Sequence, residues 1–204
     1  MYRADRAAFF RRVEAHMITG VILAGGKSSR FGRPKMFEIW QGQPLYEVGV
    51  NAFRALNFPI VIATNEELAP NFNTKNVNYI TDEPMHEGPL FALCHVMQRV
   101  ESDWYFMIAA DMPYIHADFI AELSAHISDD VDAIIPTEDG KWQPLAGLYH
   151  RRALPKAMAA LERNRRSMKT LLEEVRVSFV AMNDTNIFKN INYVEDWPQH
   201  EGEA

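Results

Sequence analysis

Four cations, Lys27, Arg30, Arg33 and Lys35, fall within a nine-residue stretch directly after the apolar run "GVILAGG". Glycines at 25, 26 and 32 punctuate the same segment, "LAGGKSSRFGRPK" (23–35). The whole chain has a net charge of −6, so this positive charge is a local feature that suits an anion. Backbone N–H groups of a glycine-rich loop make an anion-binding concavity, and Arg and Lys add charge-assisted bonds to phosphate oxygens. Asp111 closes a second apolar run, "WYFMIAA" (104–110). A hard divalent cation such as Mg²⁺ takes one or two carboxylates plus phosphate oxygens and water, which makes Asp111 the candidate metal ligand. Each residue set also has a plainer use. Glycines turn a chain and surface cations solubilise it, while an Asp before Met112-Pro113 suits turn initiation.

The elements that must carry these groups alternate. Uninterrupted apolar strands are expected at 19–25, 60–64, 77–81, 104–110 and 132–136, and a small strand and turn at Gly42. Helical spacing covers 44–56, 88–100 and 117–127. Fully apolar strands separated by helices imply a sheet covered on both faces, hence an α/β, doubly wound, mostly parallel architecture. The pattern then changes to a hairpin strand (141–150), two helices (151–162 and 166–175) and a strand (176–182). A last strand from 187 is expected to run into a terminal helix ending near 197. In open α/β sheets ligands sit beyond the carboxyl ends of the strands, where both the cationic loop and Asp111 fall.

Two familiar phosphate loops are excluded by spacing. The P-loop pattern requires glycine at 21, which is Val21, and Gly25, Gly26 and Gly32 do not fit G-x-G-x-x-G. The segment instead resembles the L-A-G-G-x-S-x-R-M-G-x-x-K signature of nucleotidyltransferases that attach a nucleotide to a phosphorylated small molecule. Within that group the chain is most similar to the molybdenum cofactor guanylyltransferases, over residues 18 to about 197. "EGPLFAL" (87–93), "AADMPYI" (109–115), "QPLAGLY" (143–149) and "NINYVEDW" (190–197) resemble that family's later motifs. Departures are Phe31 for Met, Pro34 for the Asp before the lysine, Gln143 for His, and Tyr193-Val194 for Thr-Pro.

The resemblance implies a Rossmann-like nucleotidyltransferase fold with a hairpin and helical elaboration on the acceptor side. It implies transfer of GMP from GTP to the terminal phosphate of molybdopterin cofactor with loss of pyrophosphate, aided by Mg²⁺. Lys35, Arg30 and Asp111 are then catalytic, with Asp111 holding the metal. Leu23, Ala24, Gly25, Gly26, Asn65, Asp82 and Gly88 join Lys35 and Asp111 around the nucleotide, Leu23, Ala24 and Gly25 through their backbone. Asn190, Asn192 and Arg166 fall to the acceptor, with Arg165 and Lys169 nearby. Lys27 occupies a variable position. CTP, or another phosphorylated acceptor, stays open, because the loop reads phosphates and not the base. A non-catalytic nucleotide-binding protein is the alternative of another class. Transient contact with other cofactor-biosynthesis proteins fits the same resemblance.

Composition narrows the setting. Mild acidity argues against nucleic-acid binding. A single cysteine, Cys94, excludes an internal disulfide and fits the cytoplasm. No apolar run approaches the roughly 18 residues of a membrane span. Residues 1–16 resemble a basic amphipathic helix ahead of Met17. They are expected to be an extension that can be removed without loss of activity, with one nucleotidyltransferase domain over 17–204.

Overall fold

The computed structural model describes residues 16–26, 31–81, 87–182 and 186–191. All but the last residue of the expected helix over 1–16, and Lys27, Arg30, Asp82, Asn192 and the expected terminal helix, lie outside these residues. In chain order the first half contains β1 (Ile18–Leu23), β2 (Ile39–Trp40), β3 (Gln43–Pro44), α1 (Leu45–Arg54), β4 (Ile60–Thr64) and β5 (Asn78–Thr81). Then follow α2 (Pro89–Arg99), β6 (Trp104–Ala109), α3 (Ala117–Ser124) and β7 (Ala133–Glu138). β8 (Lys141–Trp142), β9 (Ala146–His150), α4 (Leu154–Glu162), α5 (Met168–Leu172) and β10 (Val177–Ala181) complete the described elements.

The main sheet has the order β10-β7-β9-β6-β1-β4-β5, with β8 paired to β7. β9 runs antiparallel between β6 and β7, β8 is antiparallel to β7, and the other pairings are parallel. The apolar strands need cover on both faces, and their period-2 alternation divides it. Ile18 and Ile22 of β1 and Phe106 of β6 point into one layer with Val50 and Phe53 of α1 and Phe119 of α3. Val21, Tyr105 and Met107 point into the other, with Leu90 and Leu93 of α2, Ala157 of α4 and Leu171 of α5. In the first layer, Phe106 meets Phe53 and Phe119 edge-on, with centroids at 5.8 and 6.0 Å. Such ring pairs add about 0.5–1.5 kcal/mol to their burial. α1 presses close to the sheet because two glycines leave room: a Cβ at Gly20 would lie 2.5 Å from the Phe53 ring, and one at Gly49 2.5 Å from Ile108 Cδ1. The β2–β3 hairpin turns at Gln41 and Gly42, both at positive φ (48° and 82°), a twist that suits a two-residue hairpin.

The expected strand at 187 is not present. Residues 186–188 form a turn in which Lys189 N–H donates to Asn186 (3.1 Å). Ile187 and Phe188 are apolar because they plug the first core layer, and Ile191 is apolar because it seats in a separate small cluster. Scattered plugs of this kind mimic a strand in sequence.

Away from the cationic loop, Asp132 ties together the starts of β7 and β10. Arg176 contacts it through Nη2 (2.8 Å) and Nε (3.0 Å), and Arg152 through Nε (3.1 Å). Hydrogen bonds from Arg176, ahead of those from Arg152, hold the Asp132 carboxyl well below the usual carboxylate range against the opposing effect of burial. A carboxylate with a depressed folded-state pKa stabilises the fold above its unfolded value of about 3.9, and that contribution fades as pH falls through the lower folded value. Asp132→Asn is therefore expected to melt a few degrees below wild type at pH 7. As pH falls below 5 the gap between the two melting curves should narrow steadily, as followed by circular dichroism; a constant gap would exclude this linkage.

Candidate active site

The register of the central strands sets the site. Leu23 of β1 pairs with Ala63 of β4 and with Ala109 of β6. The three strands thus end nearly level, and two residues beyond the paired positions come Gly25, Asn65 and Asp111, all lining one cleft. Main-chain bonds continue past the strand ends. Ala24 N–H donates to the Ala63 carbonyl (2.8 Å), Ala110 N–H to Leu23 (3.0 Å) and Ala109 N–H to Leu145 (3.1 Å). Above this edge opens a cleft of about 440 Å³, bounded by the ends of β1, β4 and β6, the turn at Lys35 and the start of α2. Small-ligand sites span roughly 300–1,000 Å³.

Gly25 and Gly26 line the cleft. Neither adopts a left-handed φ, so turning is not their function here. Their value is space: among the described residues nothing lies within 4 Å of where a Gly26 Cβ would be, which lets a ligand approach the backbone closely. Ala24 was expected to meet the nucleotide through its backbone. It does not line the cleft; its side chain is buried in the core and its carbonyl accepts the Thr64 hydroxyl (3.1 Å). Ala24 and Thr64 instead fix the loop to β4.

Lys35 opens a single 3₁₀ turn (Lys35–Phe37), held down by buried Met36. Its ammonium lies 2.6 Å from Asp111 Oδ2 and donates to the Ile191 carbonyl at 2.5 Å. Side-chain exposures of 12% for Lys35 and 21% for Asp111 place the pair at the cleft wall, partly shielded from water. The other carboxylate oxygen, Asp111 Oδ1, is buried with no hydrogen-bond partner among the described residues. An uncompensated buried carboxylate oxygen costs stability, and a cation at that point would offset the cost. Among the described residues no cluster of three His, Cys, Asp or Glu side chains could cage an ion. Water and substrate oxygens would join Asp111 around such a metal, the habit of a hard cation bound with phosphates. Arg33 turns away from the cleft; it pairs with Glu38 (2.5 Å) and lies over the Phe31 ring.

Asn65 lines the cleft with only 3% exposure. Its Oδ1 accepts the Leu68 N–H (2.9 Å), so the side chain shapes the loop after β4 as well as facing the cleft. Gly88 caps α2 at φ 93°, a left-handed conformation that favours glycine. It aims the helix N-terminus, which attracts anions, at the cleft.

Beside it, Glu87 lines the cleft and forms an ion pair with Arg166. Arg166 thus reaches the rim through Glu87 and is not itself a lining residue. Asn190 is exposed and also outside the lining, one residue from Ile191. Cys94 is buried in the second core layer, where burial raises its thiol to about 12 and keeps it unreactive.

The sequence model of the MobA-like NTP transferase domain matches residues 20–178. The chain belongs to this family. A probable molybdenum cofactor guanylyltransferase of Geobacillus sp. (strain WCH70) is 34% identical over 182 residues, 86% of this chain and 93% of that protein. The molybdopterin-guanine dinucleotide biosynthesis protein A of Archaeoglobus fulgidus superposes with a TM-score of 0.71 at 21% identity, covering 88% of this chain and 94% of that one. The 4-diphosphocytidyl-2C-methyl-D-erythritol synthase of Anaerococcus prevotii superposes at 0.69 with 12% identity, covering 91% and 95%.

Within the MobA-like domain, the structure brings Leu23, Gly25, Gly26, Lys35, Asn65, Gly88 and Asp111 around one cleft. Sequence reasoning did not assign Thr64 or Glu87 to it, nor Ile191 to the Lys35 amine. Glu87 stands in the quoted "EGPLFAL" and could have been suspected. Ile191 carries no chemical signal, because it acts through its main chain.

Proposed function

We propose that this nucleotidyltransferase moves GMP from GTP onto the terminal phosphate of molybdopterin cofactor, releasing pyrophosphate, with Mg²⁺. The 2.6 Å contact between Lys35 and Asp111 carries the reading. It joins a cation beyond β1 to a carboxylate beyond β6, so one triphosphate can meet both. A terminal phosphate oxygen of the acceptor forms a bond to the α-phosphorus. The bond from that phosphorus to the α–β bridging oxygen breaks, and the electron pair leaves on pyrophosphate. No protein nucleophile is needed; the work is positioning and charge.

Lys35 holds phosphate oxygens as negative charge grows on the leaving group. Asp111 would hold Mg²⁺, which when bound neutralises phosphate charge as a Lewis acid. Gly25 and Gly26 admit the phosphates, Gly88 brings the α2 N-terminus to bear, and Leu23 and Asn65 meet the nucleoside side. Arg30 and Asp82 retain the phosphate and nucleoside roles that the signature implies. Arg166 exchanges Glu87 for the acceptor's phosphate, and Asn190 and Asn192 keep the acceptor role that the resemblance implies. The catalytic unit is 17–204, acting in the cytoplasm, with passing contacts to other enzymes of cofactor assembly.

The guanylyltransferase name of the 34%-identical relative favours GTP; the cytidylyl neighbour makes CTP the alternative to test. Incubation with Mg²⁺, molybdopterin cofactor and each NTP, followed by pyrophosphate release, is expected to give release with GTP. Release with CTP alone would move the assignment to cytidylyl transfer. Nucleotide binding without release would make this an accessory protein.

A further inference from the structure

The last described residue crosses the site. Ile191 N–H donates to the Asp111 carbonyl (3.3 Å), and the Ile191 carbonyl accepts from Lys35 Nζ (2.5 Å). A single residue thus holds both members of the ion pair through its main chain. Its side chain is what fixes that main chain. Ile191 is 3% exposed and packs with Phe31, Trp40 and Leu45 in an apolar cluster distinct from the two core layers. Phe31 lies in the cationic signature, Trp40 in β2 and Leu45 at the start of α1. Trp40 also meets the Tyr114 ring edge-on at 5.6 Å, three residues past Asp111. The cluster therefore braces both charge-bearing loops from outside the cleft.

A lysine ammonium is a point charge on a flexible stem, and fixing it costs rotamer entropy. Asp111 alone attracts it without fixing its direction; a second acceptor removes that freedom. We propose that Ile191 is a positioning residue for nucleotidyl transfer. Its side chain, seated against Phe31, Trp40 and Leu45, fixes the carbonyl that aims the Lys35 amine along the Asp111 wall of the cleft. The proposal rests on the nucleotidyl-transfer reading of that cleft. Ile191 touches no substrate and acts through Lys35.

The test compares Ile191→Ala, Ile191→Val, Lys35→Met and the Ile191→Ala/Lys35→Met double variant in two assays. The first is kcat and KM for pyrophosphate release, well below the melting temperature. The second is the rate of Lys35 acylation by a succinimidyl ester, read by mass spectrometry against exposed Lys141. Ile191→Ala is expected to lower kcat about tenfold, with less change in KM, and to acylate Lys35 several-fold faster. Ile191→Val should restore most of both. On the Lys35→Met background, Ile191→Ala should add almost nothing. A residue that only stabilises the fold would lower the melting temperature and leave kcat and Lys35 acylation alone; that pattern overturns the proposal. So does a full additional loss on the Lys35→Met background. Ile191→Thr carries the same readouts if the alanine variant does not fold. If the wild-type chain releases no pyrophosphate with any NTP, the transfer reading fails, while the acylation rates still decide whether Ile191 holds Lys35.

Discussion

Asp111→Asn is expected to slow pyrophosphate release by about a hundred- to a thousandfold, the range for removing a preorganised charge from a reacting site. The substitution keeps the shape of the side chain and changes two things. It removes the anion 2.6 Å from the Lys35 ammonium. It also weakens Oδ1, the Asp111 oxygen that is buried without a partner among the described residues. A neutral amide oxygen is a far poorer ligand for a hard divalent cation than a carboxylate. The loss should fall mainly on kcat, and added Mg²⁺ should recover part of it. The melting temperature should stay within a few degrees of wild type, because neither oxygen of Asp111 supports a core layer. Activity within a factor of a few of wild type, in a folded variant, would remove Asp111 from the mechanism. A large drop in melting temperature would assign it a structural duty instead.

The parts of this site that were legible in the sequence are those in which one residue type has one use. Uninterrupted runs such as "IVIAT" and "WYFMIAA" must be buried on both faces, so their strands were placed within a residue or two of β4 and β6. Beyond those strand ends, a lysine and an aspartate in a ligand-binding loop offer few alternatives. The meeting of Lys35 with Asp111 follows from the level register of Leu23 with Ala109, which side-chain chemistry does not encode but parallel strand order does. The less legible parts have two uses for one pattern. Ala24 reads as ligand-facing because it sits in the signature, yet its amide and carbonyl serve Ala63 and Thr64. The run from Ile187 reads as a strand because its apolar residues are close together. They enter separate pockets, and a turn is what allows this. Arg166 reads as a cation for the acceptor, and only the fold brings it to Glu87.

Lys35→Met tests the other half of the pair. Methionine approximates the lysine stem, so Met36 and the 3₁₀ turn around it should keep their packing, while the ammonium and its bonds to Asp111 and Ile191 are lost. The rate is expected to fall about a hundredfold or more, with KM for the nucleotide raised, because the same amine binds phosphates before and during transfer. Lys35→Arg should recover little, since a planar fork does not reproduce a point charge held between a carboxylate and a carbonyl. Groups that act as a unit give non-additive losses. Adding Lys35→Met to Asp111→Asn should therefore cost much less than the product of the two single effects. Full multiplication would mean that lysine and aspartate contribute separately, with no shared phosphate between them, and the 2.6 Å contact would then be a structural ion pair.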